Sequence, residues 1–305
     1  MGETREMISV AMATYNGAKY VKEQIDSILN QSIQDLELIV CDDCSSDDCW
    51  AILQSLAAAD SRIHVYRNEQ NLGFKKNFEK AISLCSGEYI ALSDQDDVWE
   101  NNHLETLLGI IGTNDIACGD AKLIDGNGKE LGKRLSQADF FFATPQDQDS
   151  LAYRIFYNNS CFQGASMLLR ADFIKKALPF PPDVLYHDTW LAALACFNNG
   201  IRYTRDIVTQ HRIHGNNVSN RPHWRTLFGF IHLKKNRLRK DRAPLARAIQ
   251  QRTPSLTAGQ KAFLTYGETY AKNRFSFLGK VKNVFFRLRH YRSIYTAKNH
   301  LFIEW

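Results

Sequence analysis

Proline is scarce, with 7 in 305 residues, and no stretch of about 18 apolar residues runs without a charge. The first lack, with only 17 glycines, excludes collagen-like and low-complexity chains. The second leaves no segment expected to cross a membrane as a helix. Met1 to Glu6 carry both charge signs and lead directly into an apolar strand, without the apolar core and small-residue cleavage site of a secretory leader. A cytosolic protein is expected. The seven cysteines (Cys41, Cys44, Cys49, Cys85, Cys118, Cys161 and Cys196) are odd in number and scattered, which suits free thiols in a reducing compartment rather than a disulfide framework. Cys41 and Cys44 form a C-x-x-C, but no second pair or histidine cluster follows at zinc-like spacing.

What is present is a globular composition, 44% hydrophobic and 23% charged. At this length one domain of about 200–250 residues with an appendage is expected. The net charge of +5 hides a division: residues 221–305 hold 19 Lys+Arg against 3 Asp+Glu, a net of +16, and the rest carries −11. An acidic body with a basic tail points to two tasks, one using a cation or sugar-like ligand and one touching a polyanion.

The first hundred residues alternate short apolar runs with helical patterns. Strands are predicted at Ile8–Ala13, Leu36–Cys41, Ile63–Tyr66 and Tyr89–Leu92, with helical stripes Tyr20, Val21, Ile25, Ile28, Leu29 and Ile52, Leu53, Leu56, and a helix at Lys75–Cys85. Such βαβ units imply a parallel sheet with ligands outside the carboxyl ends of its strands. The residues there are polar: Thr14-Tyr15-Asn16, Asp42-Asp43, Asn68 and Asp94-Gln95-Asp96-Asp97. Beyond Asn114 the pattern loosens to short strands (Ile116–Cys118, Ser166–Leu169), the turn Asp125-Gly126-Asn127-Gly128 and a helix at Thr189–Phe197. Helices follow from Pro222. The organisation expected is a domain over 1–220, with a strand–helix half at 7–113 and a looser half at 114–220 that should supply the acceptor side, then a basic helical region over 221–305.

Ser93-Asp94-Gln95-Asp96-Asp97 sets three carboxylates within four residues at a strand end. Their repulsion calls for a cation, ligand donors or a helix N-terminus; hard ions such as Mg²⁺ or Mn²⁺ suit them, and a helix cap by Asp97 is the alternative. Asp42-Asp43-Cys44-Ser45-Ser46-Asp47 offers acceptors for a nucleobase N–H or a ribose hydroxyl beside helix caps; Asp43 is assigned to ligand and Asp47 to structure. Tyr15 either stacks on a base or closes the core.

Thr14-Tyr15-Asn16-Gly17, Asp42-Asp43-x-Ser45-x-Asp47, Asn71-Leu72-Gly73 and Ser93-Asp94-Gln95-Asp96-Asp97-Val98-Trp99, in this order, resemble family 2 glycosyltransferases over roughly residues 7–219. The addition of Tyr186-His187-Asp188-Thr189-Trp190 and Arg212-Ile213-His214-Gly215-Asn216-Asn217 is similar to the bacterial rhamnosyltransferase-type branch of polysaccharide enzymes. The resemblance implies an α/β GT-A fold, a nucleotide-diphosphate-sugar donor (dTDP-rhamnose first, a UDP-sugar second), Mg²⁺ or Mn²⁺, and inversion at the anomeric carbon. It implies that Tyr15 and Asp43 contact the nucleobase, with Thr14, Asn16 and Asn71 lining the same site. Asp94 would hold the ribose or help the metal, and Asp96 would be the main metal ligand.

A direct displacement needs a base for the acceptor hydroxyl, and a carboxylate within reach supplies one. The resemblance puts that base at Asp188, whose alternative is a helix N-cap. Arg212 and His214 match an Arg-x-His element; His214 would ligate the metal or donate to a phosphate, and Arg212 would steady the leaving diphosphate. Gly164 matches a loop glycine that admits the donor sugar. Trp99 and Trp190 either stack on sugars or fill the core.

In the tail, Phe277, Leu278, Val281, Val284, Phe285, Leu288, Tyr291, Ile294 and Tyr295 share one helical face, opposite Lys280, Lys282, Arg287, Arg289 and Arg292. Such a helix lies on an anionic membrane or packs on the domain with its cations solvated. A saccharide or lipid-linked saccharide acceptor, peripheral contact with the inner face of the cell membrane and a homo-oligomer through the tail are the partner expectations; nucleic acid is not expected, since no recognition motif is present. Two other readings stand beside the transferase: a non-catalytic GT-A-like nucleotide-binding scaffold at the membrane, and a nucleotidyltransferase, for which Tyr15-Asn16-Gly17-Ala18-Lys19 is a poor phosphate loop.

Overall fold

The computed structural model describes residues 7–139, 148–157, 162–215, 242–273, 277–279, 281, 282 and 285. Nine strands form one sheet: β1 (Ile8–Thr14), β2 (Leu36–Asp42), β3 (Ile63–Arg67), β4 (Tyr89–Asp94), β5 (Val98–Trp99), β6 (Ile116–Asp125), β7 (Glu130–Arg134), β8 (Met167–Arg170) and β9 (Ile201–Ile213). Their order is β3-β2-β1-β4-β8-β6-β9-β5, with β7 beside β6. The first four run parallel, so all their carboxyl ends open on one edge. β8 is antiparallel to both β4 and β6, and β9 runs parallel to β6, bringing Arg212 and Ile213 back to that edge beside Asp125.

Helices α1 (Val21–Leu29), α2 (Cys49–Ala59) and α4 (His103–Ile111) contribute to one hydrophobic core, and α3 (Phe74–Leu84), α6 (Gln148–Tyr157), α7 (Ala171–Lys176) and α8 (His187–Cys196) contribute to the other. The strands feed both cores by alternation. On β1 Ile8, Val10 and Met12 enter one core and Ala11 the other; on β4 Tyr89 and Ala91 oppose Ile90 and Leu92. That is why these strands read as unbroken apolar runs. α3 forms on Asn77, Phe78, Ala81 and Ile82, a buried stripe at helical spacing, and starts at Gly73, whose φ of +81° favours glycine.

The second half departs from the short strands predicted. β6 extends over ten residues and turns at Asp125–Gly128 into β7, with Asp125 accepting from the backbone N–H groups of Asn127 and Lys129. β9 is thirteen residues long where no strand was predicted, because only Ile201, Val208, Thr209 and Arg212 of it are buried and no apolar run marks it. α5 (Leu135–Asp139) follows β7. In the C-terminal region α9 (Ala243–Arg252) inserts Leu245, Ala246, Ala248 and Ile249, and α10 (Ala258–Asn273) inserts Leu264, into the core that holds α8. Residues 216–241, with Asn216, Asn217 and Pro222, lie outside the described residues, as does most of the predicted basic helix. Of that helix Phe277, Leu278 and Phe285 are described and exposed, at 82%, 72% and 68%. No helix among the described residues is long and apolar enough to cross a membrane.

Candidate active site

The loops after β1, β2, β3 and β4 are laced together by the residues singled out in the sequence. The Asp43 N–H donates to the Thr14 carbonyl and the Asn68 N–H to the Asp42 carbonyl, which extends the parallel pairing beyond the strands. Asp42 is buried and accepts from the Thr14 and Ser45 hydroxyls and the Ser45 N–H. Asp43 accepts from Asn68 Nδ2 at 2.8 Å and from the N–H groups of Leu72 and Gly73 at 2.7 and 2.9 Å. Asn71 donates to the Asp43 carbonyl and accepts from the Gly73 N–H. Thr14 and Asp43 therefore have their polar groups engaged within the loops, and the Asn71 loop folds around Asp43.

Asn16 takes a φ of +49°, which asparagine tolerates better than most side chains. Its N–H donates to Ser45 Oγ and its Oδ1 accepts from the Ser46 N–H. Asp47 accepts from the N–H groups of Ala18 and Cys49, the structural role expected for it. Tyr15 is left half exposed at the mouth of this cradle. Its backbone is gripped on both sides by Gln95, whose Oε1 accepts from the Tyr15 N–H at 2.8 Å and whose Nε2 donates to the Tyr15 carbonyl at 3.0 Å. Gly17 makes room for that carboxamide, since a Cβ there would lie 2.3 Å from Gln95 Oε1.

The three carboxylates after β4 have three separate surroundings. Asp97 is fully buried and accepts from His211 Nδ1 at 2.9 Å, the Arg212 N–H at 3.0 Å and Gln163 Nε2 at 3.3 Å. It caps no helix; it ties β9 to the loop. Asp96 pairs through Oδ2 with His214 Nε2 at 2.7 Å, and the His214 ring lies against Tyr20 with centroids 5.1 Å apart. Asp94 receives no hydrogen bond on its carboxylate from a described residue. Burial pushes Asp94 well above the usual carboxylate range, and repulsion from Asp97, Asp96 and Asp188 adds to it. Burial and Asp97 also raise Asp96, opposed by His214 and His211. Burial alone would lower His211, but Asp97, Asp94 and Asp96 outweigh it and hold the imidazole toward its charged form.

Arg212 lies behind the loop with 1% of its surface exposed. Its Nε donates to the Asp96 carbonyl at 2.8 Å, one terminal nitrogen bonds Glu23 at 2.6 Å, and its guanidinium stacks 4.6 Å from the Tyr20 ring centre. These contacts make it a strut for the acidic loop.

Asp188 is the second residue of α8, whose N-cap is Tyr186 without a side-chain bond, so the cap alternative is set aside. Its Oδ1 accepts the Thr189 N–H, and the first turn of a helix favours its negative charge. It lies beside Gly164: a Cβ on Gly164 would sit 3.9 Å from the Asp188 Cβ, 3.8 Å from Leu92 Cδ1 and 3.2 Å from His187 Nε2. The space above Gly164 is thus taken first by a side chain of the protein. Trp190 is fully buried and donates to the Ala177 carbonyl, and Trp99 is buried on His103 at 3.8 Å, so both fill core.

Sequence reasoning passed over Gln95, Gln163, His211 and Glu23. Only Gln95 carried a signal, its place inside the acidic motif; the others come from α1, β9 and the turn before β8 and meet the loop through the fold. Two further cations hold the segment leading into α8. Lys75 Nζ donates to the carbonyls of Pro181, Pro182 and Val184, at 3.1, 3.0 and 2.8 Å. Arg252 donates to those of Lys176, Leu178 and Pro179.

Among the described residues no three carboxylate or imidazole groups converge as a ready-made cation site. The donor set still fits a hard divalent ion: Asp96 and His214 meet at 2.7 Å, the Asp94 carboxylate near them accepts no hydrogen bond from a described residue, and such ions take few protein ligands when phosphate oxygens complete the shell.

A family model described as Glycosyl transferase family 2 matches residues 9–178. An uncharacterized glycosyltransferase of Haemophilus influenzae is 28% identical over 228 residues, 72% of this chain and 69% of its own length. The Escherichia coli UDP-Glc:alpha-D-GlcNAc-diphosphoundecaprenol beta-1,3-glucosyltransferase WfgD is 34% identical over 123 residues, 40% of this chain and 48% of its own. Among solved structures, Staphylococcus aureus TarS 1–349 in complex with UDP aligns with a TM-score of 0.57 at 20% identity, over 88% of this chain and 71% of that one. The mannosyltransferase PcManGT of Pyrobaculum calidifontis, in complex with GDP-Man and Mn²⁺, aligns with a TM-score of 0.57 at 15% identity, over 95% and 86%. The two structures share the fold of this chain.

Proposed function

The chain belongs to glycosyl transferase family 2, with the GT-A fold, and on that premise we propose that it moves a sugar from a nucleotide diphosphate to a saccharide acceptor with inversion, in the synthesis of a surface polysaccharide. The observation that carries this reading is the gathering of Asp96 and Asp188 around Asp94, whose carboxyl both repel, at the strand ends where Asp96 meets His214. A base and an anion-handling site then stand side by side.

In this reading the nucleotide lies over the loops after β1 and β2, against Tyr15 and the cradle built on Asn16, Asp43 and Asn71. The acceptor hydroxyl approaches Asp188, which takes its proton as the new oxygen bond forms at the anomeric carbon and the bond to the diphosphate breaks. Asp96 and His214, with Asp94, would hold Mg²⁺ or Mn²⁺, which when bound neutralises charge gathering on the leaving diphosphate. Arg212 and Gln95 fix the two loops between which that charge develops.

A UDP-sugar is the better supported donor, because UDP-Glc and UDP stand in the names of the glucosyltransferase and TarS complex above. dTDP-rhamnose rests on the motif likeness alone. A lipid-linked saccharide at the inner face of the membrane is the proposed acceptor, supported by the diphosphoundecaprenol in the glucosyltransferase's name and by the basic, aromatic tail. The test is donor cleavage with UDP-glucose, UDP-GlcNAc and dTDP-rhamnose, following the first anomer formed by proton NMR. Release of the inverted sugar from one donor supports the reading; a retained configuration contradicts it.

A further inference from the structure

His187 has no part in the chemistry above, yet its ring is held more tightly than a linker to Asp188 requires. Phe78, Phe180 and Phe74 surround it, with ring centres at 4.6, 5.7 and 6.0 Å. The two ring nitrogens have opposite surroundings. Nδ1 is buried and finds no hydrogen-bond partner among the described residues. Nε2 makes no hydrogen bond to a described residue either, but it points at Gly164, 3.2 Å from where a Cβ on that residue would stand, beside Leu92 and Asp188.

This asymmetry fixes the proton. A buried N–H without an acceptor is rare in folded proteins, whereas an unmet acceptor is tolerated better. The neutral ring therefore carries its hydrogen on Nε2 and leaves the bare nitrogen in the aromatic cage. Burial, with Lys75 nearby, pushes the imidazole down to about 4, so the ring is neutral at physiological pH. A clamped neutral donor is suited to an uncharged oxygen.

We propose that His187 Nε2–H donates to a hydroxyl of the donor sugar, making His187 a specificity-determining residue beside Gly164 and Asp188. The proposal rests on the glycosyl-transfer reading. The glycine at 164 follows from it, since any side chain there would push the imidazole aside. A site built to bond a hydroxyl discriminates against sugars that lack one in reach, because its buried donor is then left unpaired.

The test uses the full chain and calorimetry with UDP, UDP-glucose and UDP-GlcNAc, and with dTDP and dTDP-rhamnose. For the sugar nucleotide that wild type binds best, the ratio of its Kd to that of the bare nucleotide is compared with His187→Phe, which fills the cage without a donor, and His187→Gln, which keeps one. The expected result is an unchanged Kd for the bare nucleotide, a roughly tenfold loss of the sugar's contribution in His187→Phe, and partial recovery in His187→Gln. ¹⁵N-histidine spectra should show the Nε2–H tautomer, with a shift on adding the sugar nucleotide and none on adding the nucleotide. An unchanged ratio in a folded His187→Phe, or an Nδ1–H tautomer, would overturn the proposal while leaving the transferase reading intact. Failure of wild type to bind any of the sugar nucleotides would overturn both.

Discussion

Arg212 holds Asp96 by its backbone: the guanidinium Nε donates to the Asp96 carbonyl at 2.8 Å, while the Asp96 carboxylate is left to His214 at 2.7 Å. One residue of β9 thus positions the acidic loop, and His214, just past the strand's end, bonds the loop's carboxylate. The alternation of a strand would set residues 212 and 214 on one side, and β9 ends at Ile213, so both reach the loop.

Replacing the strut should cost binding and stability together. Arg212→Met is expected to lower stability by about 1–3 kcal/mol, discounted from a fully buried pair because Glu23 is largely exposed. Arg212→Lys should not restore nucleotide binding, because one ammonium cannot serve Asp96 and Glu23 in the planar geometry of the guanidinium. Chemical unfolding with nucleotide titration of both variants checks this; full binding by Arg212→Lys would contradict it.

Gln95 and Gly17 form one device. Gln95→Ala removes both bonds to Tyr15, and Gly17→Ala displaces the same carboxamide, so each should weaken nucleotide binding by roughly 3- to 10-fold. The double variant should be no weaker than the worse single one, which a double-mutant cycle measures. Additive losses would show that the two act separately.

Asp188→Asn should leave nucleotide affinity within about twofold while cutting turnover by roughly a hundredfold or more, the scale of a lost general base. Parallel calorimetry and nucleotide-release assays separate the two effects. Loss of nucleotide binding in a folded Asp188→Asn would place Asp188 in the donor site instead.

His103 gives a pH signature of stability. It is fully buried on Trp99, its Nδ1 bonds the Val208 carbonyl, and burial pushes it from 6.5 to about 3. The unfolded chain takes up a proton below 6.5 and the folded one does not. This residue's contribution is therefore complete above 6.5 and falls as pH drops toward 3, by about 1.4 kcal/mol per pH unit once the unfolded side chain is charged. Raised Asp94 and Asp96 act with the opposite sign, so the quantity to measure is the difference between wild type and His103→Gln in urea unfolding at pH 7.5, 6 and 5. The gap should narrow as pH falls; a constant gap would contradict it.

The first half of the fold was legible because three of its four parallel strands, β1, β2 and β4, are buried on both faces and all four end in polar residues. The same signal failed for β9, where Arg202, Thr204 and Asp206 interrupt any apolar pattern and the buried residues are Thr209 and Arg212 as much as Val208. Within the site, Asp94, Asp96, Asp188 and His214 could be singled out as chemistry-bearing types in ordered motifs. Gln163 and His211 could not, since their bonds to Asp97 exist only once β8 and β9 enter the sheet. The Lys75 and Arg252 clamps are likewise invisible in sequence, because their acceptors are backbone carbonyls far along the chain.

The most direct test of the central claim is calorimetry of UDP, dTDP and GDP binding to the purified chain, with and without Mn²⁺, alongside Asp96→Ala. Metal-dependent binding of one nucleotide, lost in a folded Asp96→Ala, is the predicted result. Binding indifferent to both Mn²⁺ and Asp96, or no binding of any of the three, would contradict the account of the site.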